Sequence, residues 1–290
     1  MQSKIGRGGF SSVYKAVRIS DGKDVAIKAL KIDSNNTSFV NTQRVEQEYK
    51  NTSRINSNYV IKLYSKEQQN DKMAIVMEYI DGETLDEIIK QRKYIETTRS
   101  VSYTMQVLKG LKAMHKEGVI HRDIKPSNLM ISSHGKVKII DLGISKSHGD
   151  DKLTRTGKIV ASIDYTAPEL LKAKPANEQS DIFSVGALMY EMIVGSKPYA
   201  GGNTKEKISK IKHNPFPNAT AINGAIPQAL SNVILKATST DLTKRYQNID
   251  EFIEDLTTCL DSSRAGESTL KFNGKKEKFL NKFNSKKTLM

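Results

Sequence analysis

The chain has 290 residues, 46 of them Lys or Arg and 32 Asp or Glu, for a net charge of +14, with 37% hydrophobic and 27% charged residues. That apolar content supports a sizeable core and excludes a disordered chain. No run of 18 or more predominantly apolar residues offers an ordinary transmembrane helix. A single cysteine, Cys259, excludes an internal disulfide and a Cys-rich metal knuckle. The start Met1-Gln2-Ser3-Lys4-Ile5-Gly6 has no apolar leader core, so the expectation is a soluble protein in a reducing cytoplasm.

In chain order, Val13–Val17 and Val25–Leu30 flank a turn at Asp21-Gly22 and read as a β-hairpin. A polar, Asn-rich loop at 34–37 precedes a helix over about 38–54, and strands follow at Val60–Tyr64 and Met73–Glu78. After Asp81-Gly82 the pattern changes: Val101, Met105, Leu108, Leu111 and Met114 recur at spacings of four and three on one helical stripe, and Gly118 stands just past its end. Short strands near 129–131 and 137–140 surround His134-Gly135, and helices are expected over about 180–194, 204–212, 227–238 and 248–260. The result is an α+β chain with a small β-rich lobe before a larger helical one.

Residues 262–290 differ in kind, with eight Lys/Arg against two Glu, and read as a basic, flexible tail with a short helix around Phe279, Leu280 and Phe283. A basic surface attracts nucleic acid, anionic lipid or acidic protein, and charge alone does not choose among them.

Three segments carry chemistry. Gly6-Arg7-Gly8-Gly9-Phe10-Ser11-Ser12-Val13 lies between two strands, where glycines let a backbone approach a phosphate. It lacks the ending of a P-loop, and no helix follows it as in a dinucleotide-binding turn; an ordinary hairpin loop is the plain alternative. In Val25-Ala26-Ile27-Lys28 the lysine either faces water or pairs with an acid on the next helix, for which Glu48 is well placed and Glu46 is the rival. In His121-Arg122-Asp123-Ile124-Lys125-Pro126-Ser127-Asn128, Asp123 and Asn128 sit on a loop that Pro126 keeps from becoming a helix. An acceptor for a hydroxyl proton and an oxygen ligand for a divalent cation belong together in phosphoryl transfer. Asp141-Leu142-Gly143 offers a second oxygen ligand, and Ala167-Pro168-Glu169 follows 26 residues later. His115, His134, His148 and His213 show no ligand spacing and read as loop or surface residues; Cys259 reads as packing.

Together these segments resemble the eukaryotic-like (Hanks-type) protein kinases, in a form suggesting a bacterial or phage-like member, over residues 1–261. The resemblance implies a bilobal fold: an N-lobe of about 1–77 with one regulatory helix, a hinge at 78–82 and a mainly helical C-lobe over 83–261. It implies ATP and Mg²⁺, with Mn²⁺ able to substitute. Ile5, Gly6, Arg7, Gly8, Gly9, Phe10, Ser11, Ser12 and Val13 would close over ATP, and Lys28, paired with Glu48, would hold its α- and β-phosphates. Met77 would be the gatekeeper, Glu78, Tyr79 and Ile80 the hinge against adenine, and Ala26 and Met130 the two sides of the ring's slot. Asp123 would be the catalytic aspartate and Asn128 and Asp141 the metal ligands. Glu169 would pair with Arg245. Asp181 would anchor the catalytic loop, a simple helix cap beside Ser180 being the alternative. The chain departs from the pattern at Ser11 (third loop glycine), Leu142 (Asp-Leu-Gly for Asp-Phe-Gly), Phe183 (a common Trp) and Ser57-Asn58 (a common His-Pro), and only five residues precede Gly6.

Lys125, two residues after Asp123, is the family's serine/threonine-type arrangement, and Ser162 occupies the place of a threonine that bonds to both. The implied function is transfer of the ATP γ-phosphoryl to Ser or Thr hydroxyls of protein substrates. Autophosphorylation would fall on Thr154, Thr156 or both, eight and six residues before Ser162. A pseudokinase would normally lack one of Lys28, Asp123, Asn128 or Asp141, and a small-molecule kinase on this scaffold usually lacks Ala-Pro-Glu. No specific nucleic-acid binding is expected; the tail could touch an anionic membrane surface, though only its charge suggests so. Nothing in the sequence fixes an oligomeric state.

Overall fold

The computed structural model describes residues 3–7, 11–31, 42–69, 72–141 and 163–267. Five antiparallel strands form the first sheet: β1 (Ser3–Arg7), β2 (Ser11–Val17), β3 (Asp24–Lys31), β4 (Leu63–Gln69) and β5 (Lys72–Glu78), in the spatial order β1-β2-β3-β5-β4. The expected hairpin turns at Asp21-Gly22, with the Arg18 amide donating to the Lys23 carbonyl at 2.8 Å. Helix α1 (Thr42–Ser53) lies on this sheet because Val45 is buried among Leu30, Met73 and Ile75.

The fourth strand begins later than the expected Val60–Tyr64. Val60 and Ile61 are buried, and they bridge to the other lobe: the Ile61 amide donates to the Ile139 carbonyl at 2.9 Å and the Ile139 amide to the Tyr59 carbonyl at 2.8 Å. The Tyr59 carbonyl and the Ile61 amide are satisfied there, so the sheet strand starts only at Leu63.

The second lobe opens on β6 (Gly82–Thr84), which pairs with β7 (Leu129–Ser132) and through it with β8 (Val137–Ile139). Its helices are α2 (Leu85–Arg92), α3 (Thr97–Lys116), α4 (Pro168–Leu171), α5 (Glu178–Val194), α6 (Thr204–His213), α7 (Ala219–Ile222), α8 (Gln228–Ala237) and α9 (Ile249–Glu267). The bilobal expectation holds. The predicted stripe Val101, Leu108, Leu111, Met114 is the buried face of α3, with Met105 at its edge. Gly118 follows it at φ +71°, and its amide donates to the His115 carbonyl at 2.9 Å, closing the helix end in the left-handed conformation that glycine adopts without strain. Helix α9 runs on to Glu267, past the expected end at 260. Among the described residues no helix is long and apolar enough to cross a membrane.

Helix α5 is the axis of the lobe. Residues Ser180 to Ile193 are all buried, the pattern of a helix surrounded on every side. Its start is fixed by a capping box in which Asn177 accepts from the Ser180 amide at 3.0 Å and Ser180 Oγ takes the Asn177 amide. At Gly186 an added Cβ would stand 2.8 Å from both the Ala237 Cβ and the Thr238 Cγ2, so glycine is what lets α8 approach so closely.

Candidate active site

The period of two along β3 puts Ala26 and Lys28 on one face of the sheet. Ala26 pairs in register with Met77 on β5, and Val13 on β2 pairs with Lys28. Ala26 and Met77 are buried in one apolar cluster against which Val13 and Met130, from β7, pack half-buried. Ala26 and Met130, expected on the two sides of the adenine ring, Met77, expected as the gatekeeper, and Val13 of the loop expected over ATP thus all belong to or pack on that one cluster. Gly6, Ser11 and Ser12 form the base of the β1–β2 hairpin, in the pairs Gly6–Val13 and Arg7–Ser12, and Ile5 is exposed beside them. Gly8, Gly9 and Phe10 lie outside the described residues, as does the side chain of Arg7.

Lys28 Nζ stands 3.4 Å from Asp141 Oδ1. Glu48 lies on α1, and its side chain is outside the described set. The rival Glu46 is committed elsewhere: its Oε1 takes Lys66 Nζ of β4 at 2.6 Å on the exposed side of the helix. At the hinge, the Glu78 amide donates to the Lys62 carbonyl at 2.9 Å and its carboxylate takes Lys138 Nζ of β8 at 2.7 Å, so this side chain ties the lobes together rather than entering the cleft. Ile80 is buried beneath it.

The loop from His121 to Asn128 carries the remaining groups. Pro126 opens a 3-10 turn over Pro126–Asn128, and the Asn128 amide donates to the Lys125 carbonyl at 3.0 Å. Asn128 Nδ2 donates to the Asp123 carbonyl at 2.8 Å and to Asp123 Oδ2 at 3.2 Å, while Lys125 Nζ reaches the same Oδ2 at 2.8 Å. The Ile140 amide donates to the Asn128 carbonyl at 3.0 Å, which places Asp141 beside Asn128. Thus Lys28, Asp123, Lys125, Asn128 and Asp141, spread over 113 residues between Lys28 and Asp141, converge on one cleft.

Arg122 has φ +66°, a left-handed conformation that costs a non-glycine residue about 1–3 kcal/mol. Asp181 supplies the compensation. It is fully buried on α5; its Oδ2 accepts the His121 amide at 2.9 Å and its Oδ1 the Arg122 amide at 2.8 Å. Hydrogen bonds to a charged acceptor are worth about 1.5–3 kcal/mol each, so two of them exceed the strain. The cap of α5 is Asn177, so Asp181 is the anchor and not the helix cap. Asp181→Ala is expected to lower kcat about tenfold to a hundredfold, with Asp181→Asn between it and wild type, while calorimetric ATP affinity changes little.

Two histidines refine the picture. His115, expected as a loop or surface residue, is instead half-buried on α3 with its side chain covered, Nε2 standing 2.8 Å from Asp181 Oδ2. Its spacing from Leu108 and Leu111 on the apolar stripe is the signal that would have placed it. His121 is buried too; burial holds its pKa below the ordinary value, against the raising effect of Asp181, and its Nδ1 accepts the Asp123 amide at 3.2 Å as a neutral ring can.

Below the cleft, Arg245 Nη1 and Nη2 meet Glu169 Oε1 and Oε2 at 2.8 and 3.1 Å, both side chains buried. Ser180 Oγ also donates to Glu169 at 2.9 Å. Burial pushes the Glu169 carboxyl up, but the Arg245 guanidinium and Ser180 outweigh it and hold the group below the usual carboxylate range. Thr154, Thr156 and Ser162 lie outside the described residues.

A model of the protein kinase domain matches residues 1–271. The chain belongs to this family. The probable serine/threonine-protein kinase PknB of Lactococcus lactis is 32% identical over 271 residues, 93% of this chain and 43% of that protein. The serine/threonine-protein kinase PrkC of Bacillus subtilis is 31% identical over 264 residues, 91% and 40% of the two chains. The serine/threonine-protein kinase PknL of Mycobacterium tuberculosis is 30% identical over 249 residues, 85% and 61%. The chain thus spans about two fifths of the length of the first two of these curated relatives. The five-stranded lobe and the helical lobe are the two halves of the protein kinase fold, and the family uses ATP with a divalent cation.

The donor set fits such a cation. Among the described residues no group of three or more His, Cys, Asp or Glu side chains could hold a metal alone. Asn128 and Asp141 instead offer two neighbouring side-chain oxygens, the sparse, hard set with which Mg²⁺ is commonly held jointly with substrate phosphates. Asn128 Nδ2 is turned to Asp123, so its Oδ1 is the atom that would face such a cation.

Proposed function

We propose that this chain is a serine/threonine protein kinase, transferring the γ-phosphoryl of Mg-ATP to Ser or Thr hydroxyls of protein substrates. The observation that carries the reading is the meeting of Lys125 and Asn128 on one carboxylate oxygen of Asp123 across from the Lys28–Asp141 pair. Asp123 is placed to accept the proton of the attacking hydroxyl as its oxygen bonds to phosphorus and the bond to the leaving diphosphate oxygen breaks. Lys125 neutralises charge on the transferring group, and Lys28 fixes the remaining phosphates. Mg²⁺, held by Asn128 and Asp141, supplies further neutralisation when bound. Catalysis of this kind rests on positioning and electrostatics. Glu48, Val13, Ala26, Met77, Glu78, Ile80 and Met130 keep the roles given them above. With Cys259 as the single cysteine, the reducing cytoplasm remains the proposed place of action.

The test is label transfer from γ-labelled ATP to a generic basic protein, wild type beside Asp123→Asn. Loss of a positioned proton acceptor lowers rates by about 10²–10⁴-fold. Equal labelling by both proteins overturns the assignment of Asp123.

Autophosphorylation on Thr154 and Thr156 is part of the proposal. Each phosphate adds about −1.5 to −2 charges, for which Arg122, directly before Asp123 in the chain, is the proposed partner. Mass spectrometry of protein incubated with Mg-ATP should find these sites modified in wild type and not in Asp123→Asn. The double Thr→Ala variant should phosphorylate an exogenous peptide several-fold more slowly, and full activity in that variant contradicts the regulatory role.

A further inference from the structure

Helix α6 reads Thr-Lys-Glu-Lys-Ile-Ser-Lys-Ile-Lys-His, with Ile211 buried and lysines on either side of that apolar line. It packs against α4 and against the Ile163–Tyr165 turn that leads into Ala167-Pro168-Glu169. At this junction two lysines share one buried acid: Lys207 Nζ lies 2.8 Å from Asp164 Oδ1 and Lys197 Nζ 3.4 Å from Asp164 Oδ2. One positive charge is left over. On the adjoining elements, Lys172 and Lys174, just past α4, and Lys205, Lys210 and Lys212 on α6 make no ion pair among the described residues.

The acids on this side do not cancel the excess. Glu169 is consumed by Arg245, and Asp164 by its two lysines. Glu206, the sole carboxylate on α6, offsets only one of the charges of Lys205, Lys210 and Lys212; Asp241, in the 250 Å³ hollow that Lys172 and Lys174 line, stands 3.9 Å from Lys244. A concentrated, uncompensated basic face beside the segment that ends at Glu169 is placed to meet a protein whose acceptor hydroxyl sits in the cleft.

We infer that the face made by α6 with Lys172, Lys174 and Lys197 docks an acidic segment of the protein substrate; this rests on the kinase reading and names a substrate class for it. Opposite charge at such a surface raises encounter rates and selects partners, and it weakens as salt screens it.

The test uses the full chain and three labelled peptides of equal length: a Thr acceptor with a Glu/Asp-rich stretch on its N-terminal side, the same on its C-terminal side, and a Ser/Gly-rich neutral control. Binding is read by fluorescence anisotropy, without turnover, and phosphorylation is read separately. At low salt one or both acidic peptides should bind about tenfold more tightly than the control, with the advantage fading at about 0.5 M salt. It should vanish in Lys205→Glu/Lys210→Glu/Lys212→Glu and shrink in the gentler triple Lys→Gln variant, each checked for folding by circular dichroism. Equal binding of acidic and neutral peptides by wild type, or an advantage that survives in both variants, overturns the inference. So does a single-stranded DNA of equal charge that binds more tightly than either acidic peptide, which would make the face a nucleic-acid site. Failure of the kinase reading is a different result: phosphate reaches none of the peptides, whatever their binding.

Discussion

Asp141→Asn is expected to lower phosphotransfer by about 10²–10³-fold or more while shifting the melting temperature by only a few degrees. Removing one group that faces developing charge costs rate factors of about this size. Stability should hardly change, because the Asp141 side chain is 36% exposed and its 3.4 Å contact with Lys28 is of the partly solvated kind worth at most about 1 kcal/mol. Lys28→Ala should behave alike for the same reason. Kinetics with saturating Mg-ATP, alongside thermal unfolding, check both halves. Near-normal turnover of Asp141→Asn with Mg²⁺ would contradict its proposed place as a metal ligand.

Arg245→Met should have the opposite profile, with a large loss of stability. The guanidinium bonds Glu169 twice, donates to the Gln179 carbonyl at 2.8 Å and the Ser239 carbonyl at 2.9 Å, and lies 5.2 Å from the Phe183 ring centroid. Removing it strands a buried carboxylate, and breaking a buried pair this way costs about 3–5 kcal/mol, a large share of the roughly 5–15 kcal/mol that holds a domain together. The double variant Arg245→Met/Glu169→Leu should recover part of that loss, because it leaves no unpaired charge. Urea denaturation midpoints measure all three proteins. The same pair sets a pH dependence. Because the folded Glu169 has a depressed pKa, its contribution is fully present above the ordinary value of 4.5 and is lost as pH falls through the lowered folded value. Wild type should therefore lose more stability than the double variant in acid below pH 4.5.

Much of this was legible in the sequence because its signals are local. The glycine-rich hairpin, the loop from His121 to Asn128 and the Ala-Pro-Glu segment are short runs whose residue types state their chemistry, and the α3 stripe states its buried face. What was not legible depends on partners distant in the chain. Val60 and Ile61 read as part of a sheet strand, since nothing local shows that Ile139 of the other lobe takes the Ile61 amide and donates to the Tyr59 carbonyl. His115 read as surface because its partner, Asp181, is 66 residues away. Glu46 and Glu48 were both candidates for Lys28 until the 2.6 Å contact with Lys66 removed Glu46. The lysines of α6 gave no signal alone; their meaning comes from Asp164, which the fold buries between Lys207 of α6 and Lys197 ahead of that helix.

The most direct measurement of the central claim is mass-spectrometric site mapping on an equimolar mixture of three peptides that differ only in carrying Ser, Thr or Tyr as acceptor, incubated with the chain and Mg-ATP. The account predicts phosphate on the Ser and Thr hydroxyls, none on Tyr, and a loss of at least about a hundredfold with Asp123→Asn. Phosphate on the Tyr peptide, or none on any peptide from a folded chain that binds Mg-ATP, would contradict it.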